Sequence, residues 1–353
     1  MSARRSNFDS LRFCAALAVL WSHAFPLSDG SEKNEPFFKW SGGQTTIGTV
    51  AVACFFAISG FLITRSFEQT ADPWRFARAR VLRIMPGLLV VLIAVAFVLG
   101  PLISELPTRA YFRSEGPYYY VFSQASFWRF VDVLPGVFTS NPVPRVNGPL
   151  WTLRFEVECY VLVFLLGMAG LLRRNVLLAL YVAALIYLAI QDQSRVSDGG
   201  TLPPYNPHLD LGSKFLAGAL VYQWRVPLKT TGALLGAAVS LAALRWGHFA
   251  IAERTLIPYV VLVLALAPSL RLPDLAKWGD LSFGIYIYAW PIQQLVIQHS
   301  PTPDWLTTAA IATPIALMLA FLSWHGVEKI ALSFKDGLRA AAPPSLQPTW
   351  PPH

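Results

Sequence analysis

The sequence predicts an all-α fold, a polytopic membrane helix bundle of about ten transmembrane helices, and three observations carry that prediction. Apolar runs of roughly 17–25 residues recur from end to end, the length a helix needs to cross the hydrocarbon core. Of 353 residues 54% are hydrophobic and only 14% charged, where soluble domains carry about 25% charged residues. The Lys and Arg residues behind the net charge of +8 sit in short loops between apolar runs. That is a pattern of membrane topology, so no nucleic-acid partner is expected.

The spans fall near 8–27, 46–64, 84–104, 149–170, 175–191, 209–224, 230–246, 255–271, 280–298 and 305–325. Residues 1–335 thus form one membrane domain. The stretch 336–353, rich in proline, is expected to be a disordered cytoplasmic tail. Arg4 and Arg5 precede a first run that is too long for a signal-peptide core and lacks a small-x-small cleavage pattern. It reads as an uncleaved span. The loops on the side of both termini hold the larger share of Lys and Arg, so the termini and 66–83 are expected in the cytoplasm and 105–148 outside. Cys14, Cys54 and Cys159 all lie inside apolar runs, cannot all be paired, and have no metal-site spacing.

The first span, FDSLRFCAALAVLWSHAF, carries Arg12 and His23. Eleven residues make almost three turns, so both project from one face, roughly 16 Å apart along the axis. Each alone fits an interfacial anchor. Two in register call for a polar interior. In the second span Ser59 and Gly60 lie at mid-depth, where small residues let helices approach and a serine is also a candidate nucleophile. Asp72 and Pro73 read as a cap and first-turn proline, opening a helix with Arg75, Arg78, Arg80 and Arg83. These arginines fit an interfacial helix on anionic lipid or a cradle for a phosphorylated ligand, with Arg80 and Arg83 sharing a face.

The loop 105–148 mixes Tyr111, Phe112, Tyr118, Tyr119, Tyr120, Phe127 and Trp128 with charged residues. It fits an aromatic belt or a saccharide-binding lid. In NGPLWTLRFEVECY, Arg154 and Glu158 are an i,i+4 pair, whereas Glu156 points elsewhere without a local partner. By rise per residue, Glu156 lies about 10 Å and His23 about 6 Å below the outer surface, close enough to meet. Spans five to eight offer little chemistry beyond Lys214, which is either a snorkelling or a cavity lysine.

Five motifs in this order resemble the acyltransferase-3 family of integral membrane O-acyltransferases, over roughly residues 5–335. They are Arg12-x10-His23, FFAISGFLIT around Ser59, Arg80-x-x-Arg83-Ile-x-Pro86, WTL-x-x-E-x-x-x-Y from Trp151 through Glu156 to Tyr160, and SFGIYIYAWP. The resemblance implies a bundle of ten or eleven helices. It would move an acyl group, commonly acetyl, from cytoplasmic acyl-CoA to a hydroxyl of an extracytoplasmic or lipid-linked glycan. His23 would be the base, Arg12 its support, Glu156 the buried acid, and Arg80 with Arg83, flanked by Arg78, the CoA-binding residues. Acyl-CoA would be a donor substrate, with no cofactor resident. One departure stands out: the late motif often reads Tyr-Leu-x-His-Trp-Pro, and Ala289 replaces the histidine here. A transporter or flippase of a sugar or lipid-linked intermediate would also need buried Arg, His and Glu, but the sequence shows no internal repeat or paired broken helices.

Overall fold

The computed structural model describes residues 7–70, 72–197, 206–267, 270 and 272–336; beyond Asp336, the expected tail lies outside them. Among the described residues all regular structure is helical. Helix α1 (Phe8–Asp29) stops at Gly30, whose φ of 70° is the left-handed end glycine tolerates best. A short α2 (Pro36–Trp40) leads to α3 (Ile47–Glu68), capped by the Thr46 side chain on the Thr49 N–H. Helix α4 (Pro73–Ala94) begins as expected, with Asp72 accepting from the Trp74 N–H and Pro73 in the first turn.

The arginine segment and the third span are one rod. Helix α4 passes Pro86 without ending and runs on through a π-turn at Val95–Leu99 into α5 (Gly100–Ile103). Arg75 to Arg83 are therefore the first turns of a spanning helix, not a separate helix lying on the membrane. The loop beyond holds α6 (Thr108–Arg113) and α7 (Gly116–Ala125). Then follow α8 (Trp151–Met168), α9 (Arg174–Ser197), α10 (Pro207–Gln223), α11 (Thr230–Trp246) and α12 (Phe249–Leu266). The last are α13 (Ser282–His299), α14 (Trp305–Ser323) and α15 (Lys329–Asp336), joined by a π-turn at Trp324–Glu328.

Every predicted span is a helix. Length and hydropathy alone qualify six rods for crossing a membrane: Phe8–Asp29, Ile47–Glu68, Pro73–Ile103, Arg174–Asp192, Phe249–Leu266 and Trp305–Phe334. The remaining four are shorter or more polar: α10 and α11 have 17 residues, while α8 carries Arg154, Glu156 and Glu158 and α13 carries Gln293 and Gln294. Polar groups facing the bundle interior lower the hydropathy of a helix without exposing those groups to lipid.

Three backbone carbonyls orphaned at prolines are met by side chains from other segments, as suits an apolar surrounding. Pro291 cannot donate to the Ile287 carbonyl, and Asn147 Nδ2 donates there at 2.9 Å. Pro258 leaves the Arg254 carbonyl free, and the Tyr181 hydroxyl donates to it at 3.0 Å. In the π-turn the Gly100 N–H shifts to the Val95 carbonyl, and the Tyr111 hydroxyl takes the Ala96 carbonyl at 2.7 Å.

The centre of the bundle is the contact of α3 with α10. A Cβ on Gly60 would fall 1.9 Å from the Phe215 carbonyl oxygen, and one on Gly218 would fall 2.0 Å from that of Ala57. The two backbones touch, which is the close approach that small mid-membrane residues permit. Gly60→Ala should therefore destabilise the fold by about 1–3 kcal/mol, the scale of overpacking. Thermal unfolding in detergent checks this against Gly212→Ala, in α10 with nothing within 4 Å of its Cβ, which should keep or modestly raise the transition because alanine favours the helix.

Candidate functional site

The N-terminal parts of α1 and α4, the turn ahead of α13 and the α14–α15 junction meet in one charge cluster. Arg12 donates from NH1 to Asp280 Oδ2 at 2.8 Å, and Arg83 donates from NH2 to the same oxygen. The other guanidinium nitrogen of Arg83 is 3.4 Å from Glu328 Oε2. Its plane lies 5.8 Å from the Phe283 ring and 5.6 Å from that of Trp324. Two glycines make room. Gly279 has φ 108°, and a Cβ there would sit 2.2 Å from the Trp324 ring; one on Gly87 would press on Glu328 at 3.4 Å. Arg80, expected to pair with Arg83 on one ligand, lies apart from the cluster's carboxylates. Its Nε is buried with no partner and its guanidinium sits 5.7 Å from the Phe76 ring. Arg78 is exposed.

A cavity opens beside Arg12 toward the middle of the bundle. Its polar lining is Arg12, Ser59, Thr152, Glu156, Ser282 and Tyr286, against Val52, Phe55, Phe56, Leu153 and Phe283. Glu156 does have a local partner: the hydroxyl of Tyr160, one turn on, donates to its Oε1, which also accepts from Ser59 Oγ at 3.2 Å. Ser59 is thereby tied to a carboxylate rather than to an imidazole. Tyr286 donates to the Pro149 carbonyl at 2.9 Å and lies 2.6 Å from the Thr152 hydroxyl. Trp151 packs edge-on against Phe155, 5.4 Å between ring centres, and does not line this cavity.

His23 lies at the other end of α1 and does not line the cavity either, so the expected meeting with Glu156 is not formed. Its ring contacts Trp290 edge-on at 5.0 Å, and neither ring nitrogen has a hydrogen-bond partner among the described residues. The strap 141–150 closes over this end. Trp290 Nε1 donates to the Arg145 carbonyl at 2.9 Å, Gln294 Nε2 reaches the Val143 carbonyl at 2.6 Å, and Asn141 Nδ2 meets Gln294 Oε1 at 2.8 Å. In the preceding loop Tyr111 and Tyr120 are buried core residues, whereas Tyr118, Phe122 and Trp128 are exposed.

Spans five to eight hold more chemistry than their sequence suggested. Lys214, 1% exposed, binds Asp210 at 2.8 Å and Glu253 at 3.1 Å. Arg254 bridges Asp210 at 2.8 Å and Asp192 at 2.7 Å. Lys214 is thus a buried, paired lysine. Glu253 and Arg254 were expected in a loop before a span starting at 255; α12 starts at Phe249 and carries both inside. On α8, the expected Arg154–Glu158 pair is present at 2.9 Å, and His208 Nδ1 joins it at 2.7 Å from Glu158.

Asp280, Glu328, Ser282, Thr152 and Tyr286 escaped the sequence reading. The signal available for Asp280 was an acid at the polar start of a span, WGDLSFG. Glu328 looked like one of many charges closing the last span.

The family described as an acyltransferase domain matches residues 5–325. An O-acetyl transferase of Shigella phage Sf6 is 29% identical over 92% of this chain and 96% of its own length. Nodulation protein 10 of Rhizobium leguminosarum bv. viciae is 29% identical over 96% of each. No solved structure matches the chain.

The buried ion network makes a stability prediction. Lys214→Met leaves Glu253 without its cation and should cost about 3–5 kcal/mol, the usual cost of breaking one side of a buried pair. Adding Glu253→Met should recover part of that loss, because the stranded carboxylate is then gone. Thermal melts of both variants in detergent would show the difference.

Proposed function

Because the chain belongs to the acyltransferase-3 family of membrane O-acyltransferases, we propose that it moves an acyl group from cytoplasmic acyl-CoA to a hydroxyl of an extracytoplasmic or lipid-linked glycan. Acetyl is the group favoured, from the name of the phage relative. The observation that supports this reading is a run of polar groups through one bundle. It passes from Arg83 and Arg12 to Ser59 and Glu156, with His23 farther along α1 beyond the cavity, against Trp290. An enzyme that takes its donor on one side and its acceptor on the other needs polar groups along the whole depth.

In this reading the arginine end faces the cytoplasm, as do both termini, in the inner membrane. The donor's phosphates bind at Arg80 and Arg83, with Arg78 at the rim, because the guanidinium fork matches phosphate oxygens. The acyl chain's arm lies along the Arg12–Glu156 cavity toward His23. His23, its ring nitrogens unengaged, takes the proton of the acceptor hydroxyl as that oxygen attacks the thioester carbonyl carbon. The carbon–sulfur bond breaks, and the departing thiolate receives the proton. Acyl-CoA and the glycan are substrates, membrane lipid is the surrounding partner, and no cofactor stays bound. Glu156 holds Ser59 and Tyr160 in place and lines the path rather than touching His23.

Purified protein in proteoliposomes, given acetyl-CoA and a lipid-linked saccharide fraction, should release free thiol and leave an acetyl ester on the saccharide. Absence of both would overturn the reading. His23→Ala should lose about 10²–10⁴-fold in transfer rate, the worth of a positioned proton acceptor. His23→Gln should be nearly as slow, since an amide cannot take the proton. Near-normal turnover in that variant would remove His23 from proton transfer.

Sidedness has its own test. In a background lacking Cys14, Cys54 and Cys159, single cysteines at the exposed Asp72 and Glu115 should label from opposite faces. Labelling of both from outside would invert or discard the topology.

A further inference from the structure

The donor end of the site already contains an anion. Two arginines, Arg12 and Arg83, converge on a single oxygen of Asp280, the arrangement in which a pair of guanidinium groups grips one phosphate oxygen. Ser282 Oγ donates to the other oxygen, Oδ1, at 2.6 Å. Asp280 stands in the turn after Gly279 and ahead of α13, so its backbone is not held by the helix ladder.

The two carboxylates on Arg83 differ. The Glu328 side chain is 1% exposed and is held from behind by Ser323 Oγ at 3.0 Å. Asp280 is 17% exposed, and its arginines are 15% and 21% exposed, so an anion arriving in water can reach this pair and not Glu328. Glu328 is the permanent counter-ion and Asp280 the exchangeable one.

We propose that Asp280 is an internal competitor for the donor site, holding Arg12 and Arg83 while the site is empty and yielding them to a phosphate of CoA. This rests on acyl-CoA being the donor. The competition lets two arginines stay inside the bundle without an unpaired charge, and it weakens donor and product binding by the cost of displacing a carboxylate. Product release benefits, since the carboxylate returns as CoA leaves. Arg12 also joins the donor end to α1, the helix that bears His23.

The sign of one variant separates this role from a merely structural one. Equilibrium binding of CoA to the full-length protein in detergent should tighten in Asp280→Asn by roughly tenfold, the scale of one charge-assisted hydrogen bond removed from the competitor. Phosphate-free acetyl-pantetheine should bind as it does to wild type, and Asp280→Glu should keep wild-type CoA affinity. A folded Asp280→Asn protein with unchanged or weaker CoA binding would overturn the competitor role while leaving the donor assignment standing. Should Asp280→Asn fail to fold, Ser282→Ala decides: it keeps the charge but loosens Oδ1, so CoA should again bind more tightly, and unchanged or weaker binding overturns the proposal. Wild-type protein that binds no CoA would remove the donor reading and this inference together.

Discussion

Charge carried into a membrane bundle must be neutralised inside it, and the arrangement of this protein follows from that constraint. Arg12 and Arg83 pair with Asp280 and Glu328, which brings the N-terminal parts of α1 and α4, the turn ahead of α13 and the α14–α15 turn to one point. Lys214 and Arg254 do the same for α9, α10 and α12 through Asp210, Glu253 and Asp192. Each network ties segments far apart in sequence. Beside Arg12 lies a cavity whose mainly apolar walls carry Ser59, Glu156 and Ser282. The site and the scaffold thus arise from the same demand.

The same demand acts on the backbone. Three breaks in the helix ladder, at Pro291, Pro258 and the π-turn before Pro101, are each met by a side chain from another segment. Asn147 and Tyr111 belong to the long connection between α4 and α8, so that connection is pinned onto the bundle by proline-freed carbonyls. The strap over His23 is held in part by the Ile287 carbonyl that Pro291 leaves free, which accepts from Asn147 Nδ2. A proline that weakens one helix thereby fixes the roof of the site.

What the sequence made legible was local. Apolar length located the long helices, the Asp72–Pro73 pair located the start of α4, and i,i+4 spacing found Arg154 with Glu158. Arg12 could be read as needing a polar interior because His23 follows it on the same face of an apolar run. Its partner could not. Asp280 is 268 residues away, and nothing in a local window distinguishes an acid that enters the bundle from one that caps it. Glu253 and Arg254 show a related limit: charges beside an apolar run read as its edge, whereas pairing with Lys214 and Asp210 lets α12 carry them inside. Glu156 was credited with no local partner because tyrosine at i+4 reads as apolar wall until its hydroxyl is placed.

The alanine in the late motif has a packing explanation. Ala289 is buried in a seam with Ala16, Leu20, Ala316 and Ala320, where α1, α13 and α14 meet. The seam is tight enough that a Cβ on Gly284 would fall 2.7 Å from Ala320. An imidazole at 289 would have to part α1 from α14, and small-residue contacts of this kind hold membrane helices together by close approach alone. A second histidine is therefore incompatible with this seam as it is packed. The imidazole available near the strap is that of His23, about three turns along α1 from an arginine already committed to the other end of the site. With α1 packed against α3, α13 and α14, the distance between those two functions is fixed by the helix itself.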